Sequence, residues 1–129
     1  MERTITIDGR EVRLRASAAI PRLYRLKFRR DIIQDMQTIQ AALEKSQAGV
    51  EKGKPVPIPM EALTLFENVA YLMARHADPE GVPASPDDWL EGFETFSIYR
   101  VFPVILELWS ANLVTLSKPK KKQRRRTGR

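Results

Sequence analysis

Between Pro21 and Gln47, six large apolar residues recur at steps of four, four, four, three and four: Tyr24, Phe28, Ile32, Met36, Ile39 and Leu43. Only an α-helix lines up such a series on one face, because 3.6 residues per turn bring positions three and four apart into register. A stripe this long has to be covered, which commits the chain to a helical layer packed on something else. The pattern predicts one helix over about 21–47, with Pro21 in the first turn, where its missing N–H costs nothing. Four arginines, Arg22, Arg25, Arg29 and Arg30, crowd its start, the end at which the macrodipole disfavours positive charge. Local helix energetics do not account for them; a partner or an acid elsewhere in the fold would.

A different period precedes the stripe. Ile5 and Ile7, then Asp8-Gly9, then Val12 and Leu14 read as a β-hairpin over about 4–15, because a two-residue type I′ turn needs positive φ at both central positions. Thr4, Thr6, Arg13 and Arg15 fall on its other face. An isolated hairpin is marginal in water, so its apolar side has to rest on the helices.

Beyond the long helix, Gly49, Gly53, Pro55, Pro57 and Pro59 mark a loop. Leu63, Phe66, Ala70, Met73 and Ala77 then predict a second helix over about 60–77. Ser85-Pro86-Asp87-Asp88 is a helix start with a serine cap, a first-turn proline and first-turn acids, and predicts a helix over about 86–95 carrying Trp89, Leu90 and Phe93. The last segment, about 97–116, is the most apolar and carries only Arg100 and Glu107 as charges. Pro103 has to kink it or begin its second part. Apolarity on nearly every side means central burial or a face that another chain covers. The expected fold is α+β and mostly helical: an N-terminal hairpin packed on a bundle of about four helices in one domain, 1–117, followed by a disordered basic tail, 118–129.

Charge divides the chain in the same way. Of 22 basic and 16 acidic residues, eight bases and no acid lie in the last twelve positions, among them Lys118, Lys120, Lys121, Lys122, Arg124, Arg125 and Arg126. The body is therefore mildly acidic, and the alkaline pI of 9.9 belongs to the tail. Within the body, residues 1–30 carry nine bases against three acids, and residues 31–117 five bases against thirteen acids. Opposed fields of this kind suit head-to-tail self-association or a charged partner.

Chemistry is sparse. There is no cysteine, which removes disulfides, thiolate metal sites and thiol nucleophiles. His76 is the single histidine, near a helix C-terminus where it serves the dipole. Ser17 and Ser46 have no histidine near them in sequence. Asp87, Asp88, Glu91 and Glu94 could suggest Mg²⁺, yet acids belong in a first helical turn without one. No phosphate-binding loop, dinucleotide fingerprint, zinc-protease helix or nucleophile elbow occurs. Catalytic, metal-binding and cofactor-binding residues are all expected to be none. Met1-Glu2-Arg3-Thr4 opens no apolar leader, and no apolar run approaches the ~20 residues of a membrane span, so neither export nor membrane insertion is expected.

The order of short strings carries a resemblance. Ile5-Thr6-Ile7-Asp8-Gly9-Arg10-Glu11-Val12, Pro21-Arg22-Leu23-Tyr24-Arg25, Phe28-Arg29-Arg30-Asp31-Ile32, Phe66-Glu67-Asn68-Val69-Ala70-Tyr71, Asp87-Asp88-Trp89-Leu90 and Phe96-Ser97-Ile98-Tyr99 through Ile105-Leu106-Glu107-Leu108-Trp109 together resemble the tail assembly chaperones of long-tailed phages and prophages of Gram-positive bacteria. The resemblance covers most of residues 4–116 and leaves out the loop at 48–59 and the tail. It implies a non-catalytic protein that binds the tape measure protein, assists assembly of the tail tube protein around it, self-associates, acts in the host cytoplasm and leaves before the virion is complete. It also implies that a longer product arises by programmed frameshifting, for which the lysine codons of Lys120-Lys121-Lys122 are the place to look. On this reading Tyr24, Arg25, Phe28, Arg29 and Trp109 are the partner-binding candidates, although core packing competes for the apolar ones. The alternative is a small nucleic-acid-binding or scaffolding protein acting through its tail. Eight charges would give salt-sensitive, non-specific affinity, but the tail has no aromatic residue to stack on bases.

Overall fold

The computed structural model describes residues 1–117, with side chains as far as residue 111. The expected basic tail, from Lys118 through Lys120, Lys121, Lys122, Arg124, Arg125 and Arg126 to Arg129, lies outside the described residues.

Strands β1 (Glu2–Ile7) and β2 (Arg10–Arg15) pair antiparallel, with Ile5 opposite Val12 and Ile7 opposite Arg10. Asp8 and Gly9 sit at φ 55° and 76°, the two positive angles that the type I′ turn demands. Directly opposed residues share a face, so Ile5, Ile7, Val12 and Leu14 form one apolar side. Ile7, Val12 and Leu14 are buried. At its ends this side carries Arg10 and Arg3, which reach outward to other elements.

Where one long helix was expected, the chain forms two, α1 (Ile20–Phe28) and α2 (Ile32–Glu51). Arg29 breaks them apart: it takes a left-handed φ of 60° and donates its N–H to the Arg25 carbonyl at 2.8 Å. Asp31 then caps α2, its carboxylate accepting from the Ile33 N–H at 2.9 Å. The periodic stripe survives the break because the elbow keeps both helices facing inward: Tyr24, Ile32, Met36, Ile39 and Leu43 are all buried. At its far end α2 runs past the expected Gln47 to Glu51. Gly49 is tolerated in the helix because the following loop packs on it; a Cβ there would lie 2.5 Å from the Lys54 carbonyl oxygen.

Helix α3 (Met60–Ala77) matches its expected span and is the hub, packed against β2, α1, α2, α4 and α5. Leu65, Phe66 and every residue from Val69 to Ala74 are buried. Helix α4 (Pro86–Leu90) starts as expected, with Ser85 Oγ accepting from the Asp88 N–H at 3.1 Å, but stops five residues short of 95. The hairpin takes over the backbone groups that would have continued it. Asp8 accepts from the Glu94 N–H at 2.7 Å, and Arg10 donates to the Gly92 carbonyl while its guanidinium covers the Phe93 ring at 4.7 Å. Helix α5 (Ile98–Ser117) continues through Pro103. It lies beside α3 rather than at the centre, with Val101, Phe102, Ile105, Leu108 and Trp109 inward and Pro103 and Glu107 outward. The fold is thus α+β and mostly helical, a hairpin on a helical bundle. No helix among the described residues is long and apolar enough to cross a membrane.

Candidate functional site

The break between α1 and α2 builds a polar knot inside the molecule. Asp35, one turn into α2, is 1% exposed. Its Oδ2 accepts from the Tyr24 hydroxyl at 2.7 Å and from Arg30 Nε at 2.8 Å, and its Oδ1 from Arg30 Nη2 at 2.9 Å. Burial pushes the Asp35 carboxyl up, but the Arg30 guanidinium and the Tyr24 hydroxyl outweigh it and hold the group below the usual carboxylate range. Burial first, then the adjacent Asp35 carboxylate, drives the Tyr24 phenol far above its ordinary value. Arg30 rises further through its hydrogen bonds to Asp35. These shifts belong to a mutually hydrogen-bonded network that runs from the buried Asp35 and Tyr24 out to the half-exposed Arg30, and offer no group poised to react near neutral pH.

Burial corrects two of the sequence-derived candidates, Tyr24 and Trp109. Tyr24 is fully buried and spends its hydroxyl on Asp35, so it belongs to the core and offers no client surface. Trp109 is 4% exposed and packs in the same core. Phe28 is half-buried, its ring 5.1 Å from that of Tyr24. Only Arg25 and Arg29 stand fully outward, together with Arg22. Among the described residues none of these three makes an ion pair, whereas Arg30 has Asp35.

Next to that exposed face lies a groove of about 460 Å³, open to solvent on one side. Leu23, Leu26 and Lys27 of α1 form one wall, and Tyr71, Leu72, Arg75 and His76 of α3 the other, with Pro79 closing the end. The floor is apolar, and Leu26 is 61% exposed above it. The connection from α3 to α4 fixes this wall. Three successive carbonyls, of Val82, Pro83 and Ala84, accept from Arg75 at 2.9 Å, the Tyr71 hydroxyl at 2.7 Å and Lys27 at 3.2 Å. Lys27 also stands 5.7 Å from the Tyr71 ring centroid. Both cations are therefore positioned by neutral acceptors, and no described residue lining the groove is acidic. Their charge is held in place and left uncompensated.

None of the groove residues was among the sequence candidates. The signal was there in Leu23 and Leu26, which stand off the inward stripe on a helix otherwise rich in arginine; the partners from α3 come from a helix read only as core.

His76 also takes part in a contact that the sequence separation hid. Ser17 Oγ lies 2.8 Å from His76 Nε2 and accepts from the Ala19 N–H at 3.2 Å. Burial, then the charges of Arg15 and the amino terminus, lowers the His76 pKa and keeps the ring neutral at pH 7. A nucleophilic serine needs an acid to orient its histidine, and the charges acting on this ring are both cations. The pair is a latch between the β2–α1 connection and α3. Among the described residues no group of three or more histidines and carboxylates could hold a metal ion. No protein-family model, curated protein or solved structure matches the chain.

Proposed function

We propose that this protein is a non-catalytic tail assembly chaperone of a long-tailed phage or prophage, which binds the tape measure protein in the host cytoplasm and assists assembly of the tail tube protein around it. The family resemblance over residues 4–116 supports this reading, and one observation carries it at the level of physics. The groove between α1 and α3 offers a fixed apolar floor under cations that pair with no carboxylate among the described residues, which suits a protein that holds a chain segment. Self-association is part of the proposal, since residues 1–30 and 31–117 carry opposite net charge.

Co-expression with the tail protein encoded downstream, followed by pull-down and light scattering, tests it. The client is expected to stay soluble and to elute with this chain. A client that remains insoluble while this chain stays monomeric at high concentration overturns it. The coding sequence at Lys120–Lys122 adds an independent check, an A-rich slippery stretch being expected there. The rival reading, a nucleic-acid binder acting through its tail, gains from Arg22, Arg25 and Arg29, which make no ion pair among the described residues. It requires binding to RNA or DNA that persists at physiological salt; binding only at low salt that is lost on truncation at Ser117 means generic polyelectrolyte attraction by the tail.

A further inference from the structure

The groove has properties that select a particular occupant. It is an open trough, whereas small-molecule sites enclose most of their ligand, so a segment of chain fits it better than a metabolite. Its walls are two helices, and helix-lined troughs accept a third helix through apolar anchors at spacings of three and four. Its volume, about 460 Å³, takes a few large side chains. Around it stand Lys27 and Arg75, fixed by the Ala84 and Val82 carbonyls, with Arg22 one turn before Leu26 on the exposed side of α1. Two acids flank the closing Pro79: Asp78, engaged by Arg13 at 3.8 Å and by the Gly81 N–H at 3.0 Å, and Glu80, which is exposed and lies outside the groove lining.

We infer that the α1–α3 groove receives an acidic amphipathic helix of a partner protein, its apolar anchors packing on the exposed Leu26 and the half-buried Leu23 of α1, beside the buried Tyr71 and Leu72 at the base of the groove, its carboxylates meeting Lys27, Arg75 and Arg22. This rests on the reading of the chain as a client-binding protein and names the chemistry of the client segment. The positive rim rejects a basic helix, because each like charge brought to a site with no carboxylate lacks compensation. Apolar burial in the trough supplies affinity, and the cations supply orientation and choice of partner.

The test uses a labelled synthetic helical peptide of about 20 residues, with leucines at the a and d positions of its heptads and glutamates beside them. Two controls accompany it: the same peptide with lysine for every glutamate, and a scrambled sequence of identical composition. Fluorescence anisotropy with the full chain is expected to show saturable binding of the acidic peptide only, at least tenfold tighter than either control. Amide shifts are expected to cluster at residues 22–27 and 71–76. Leu26→Glu and Arg22→Glu, both at exposed positions, are each expected to weaken binding about tenfold while leaving the circular dichroism spectrum and melting temperature unchanged. Equal binding of the scrambled peptide, shifts centred elsewhere, or wild-type affinity in both variants overturns the inference.

The same two variants separate this inference from the chaperone reading. A downstream tail protein that both variants capture as well as wild type leaves the chaperone standing and removes the groove as its site. A groove that binds the acidic peptide in a chain that captures no tail protein keeps the inference and removes the chaperone.

Discussion

Two arginine-bearing surfaces meet at the α1–α2 elbow and solve the problem of positive charge in opposite ways. On one side, Arg30, itself half-exposed, is fixed by a buried aspartate that also takes the Tyr24 hydroxyl, so the buried carboxylate and phenol of the knot are paired within the chain. On the outer side, Arg22, Arg25 and Arg29 face solvent with no ion pair among the described residues, and the neighbouring Lys27 and Arg75 rest on neutral carbonyls. Five cations within nine residues of sequence thus divide into one that the fold needs and several that it does not. Charge that stability does not require, held beside an exposed apolar groove, is charge available to a partner.

The largest effect expected from breaking this contrast is at the knot. Asp35→Ala removes the acceptor shared by Tyr24 and Arg30 and strands a buried hydroxyl, which costs about 3 kcal/mol. That should appear in chemical denaturation as a lowered midpoint and in heating as a Tm reduced by roughly 10–15 °C. A loss under about 1 kcal/mol would mean that the elbow is held by packing alone, and the two arginine groups would no longer differ in kind. Tyr24→Phe is the finer cut. It deletes one hydrogen bond and leaves Asp35 paired with Arg30, for an expected loss of about 1 kcal/mol.

How much of this was legible beforehand follows from what each signal depends on. The hairpin could be read because Asp8-Gly9 imposes a local geometry that needs no knowledge of the rest of the chain. The inward stripe could be read because periodicity survives a change of helix axis. The elbow itself was hidden: Arg29 carries no mark of a left-handed residue, and Asp31 as a cap looks like any helical acid until the break is known. The shortening of α4 was hidden for a different reason, since Arg10 and Asp8 reach Gly92 and Glu94 across more than eighty residues. The groove is of this second kind. Leu26 could be flagged as an apolar residue off the stripe, but Tyr71, Leu72 and Arg75 join it only once α1 and α3 are packed. Tyr24 and Trp109 fail as surface candidates because large aromatic residues are the best core fillers as well as the best anchors, and sequence alone does not separate the two uses.

Arg29 offers a way to sharpen the comparison, because it holds a backbone role and a surface role at once. A non-glycine residue in the left-handed region is strained, and its side chain makes no ion pair among the described residues. Arg29→Gly should therefore stabilise the fold by about 0.5–1 kcal/mol. Arg29→Ala, which keeps the strain and loses the charge, should leave stability within about 0.5 kcal/mol of wild type. A destabilised Arg29→Gly would show that the guanidinium does internal work, and the outer arginines would join Arg30.

The smallest expected effect is one of pH, and it distinguishes the two regions by where each begins to fail. In the knot, the folded-state pKa of Asp35 lies below its unfolded value, so its contribution is complete above the usual carboxylate range and is lost only as pH falls through that lowered pKa. At the groove wall, His76 also has a lowered folded-state pKa, but from an unfolded value near 6.5. Above that value both states hold a neutral ring. As pH falls from there, the unfolded chain takes up the proton before the folded one, so stability declines in a window in which Asp35 is still fully ionised. Glu67 runs the other way: burial, then the charge of Asp87, raises its pKa, so it favours the folded state as pH falls through the acid range. Comparing a variant with wild type at each pH cancels that contribution. Melting curves of His76→Gln, which can still hydrogen-bond Ser17, should run parallel to wild type above pH 7. They should then fall less steeply between pH 6.5 and 5, while Tyr24→Phe keeps the wild-type slope in that window and departs from it only in stronger acid. A His76→Gln slope equal to wild type would mean that the ring is free to charge in the folded state, and that the latch to Ser17 does not fix the groove wall.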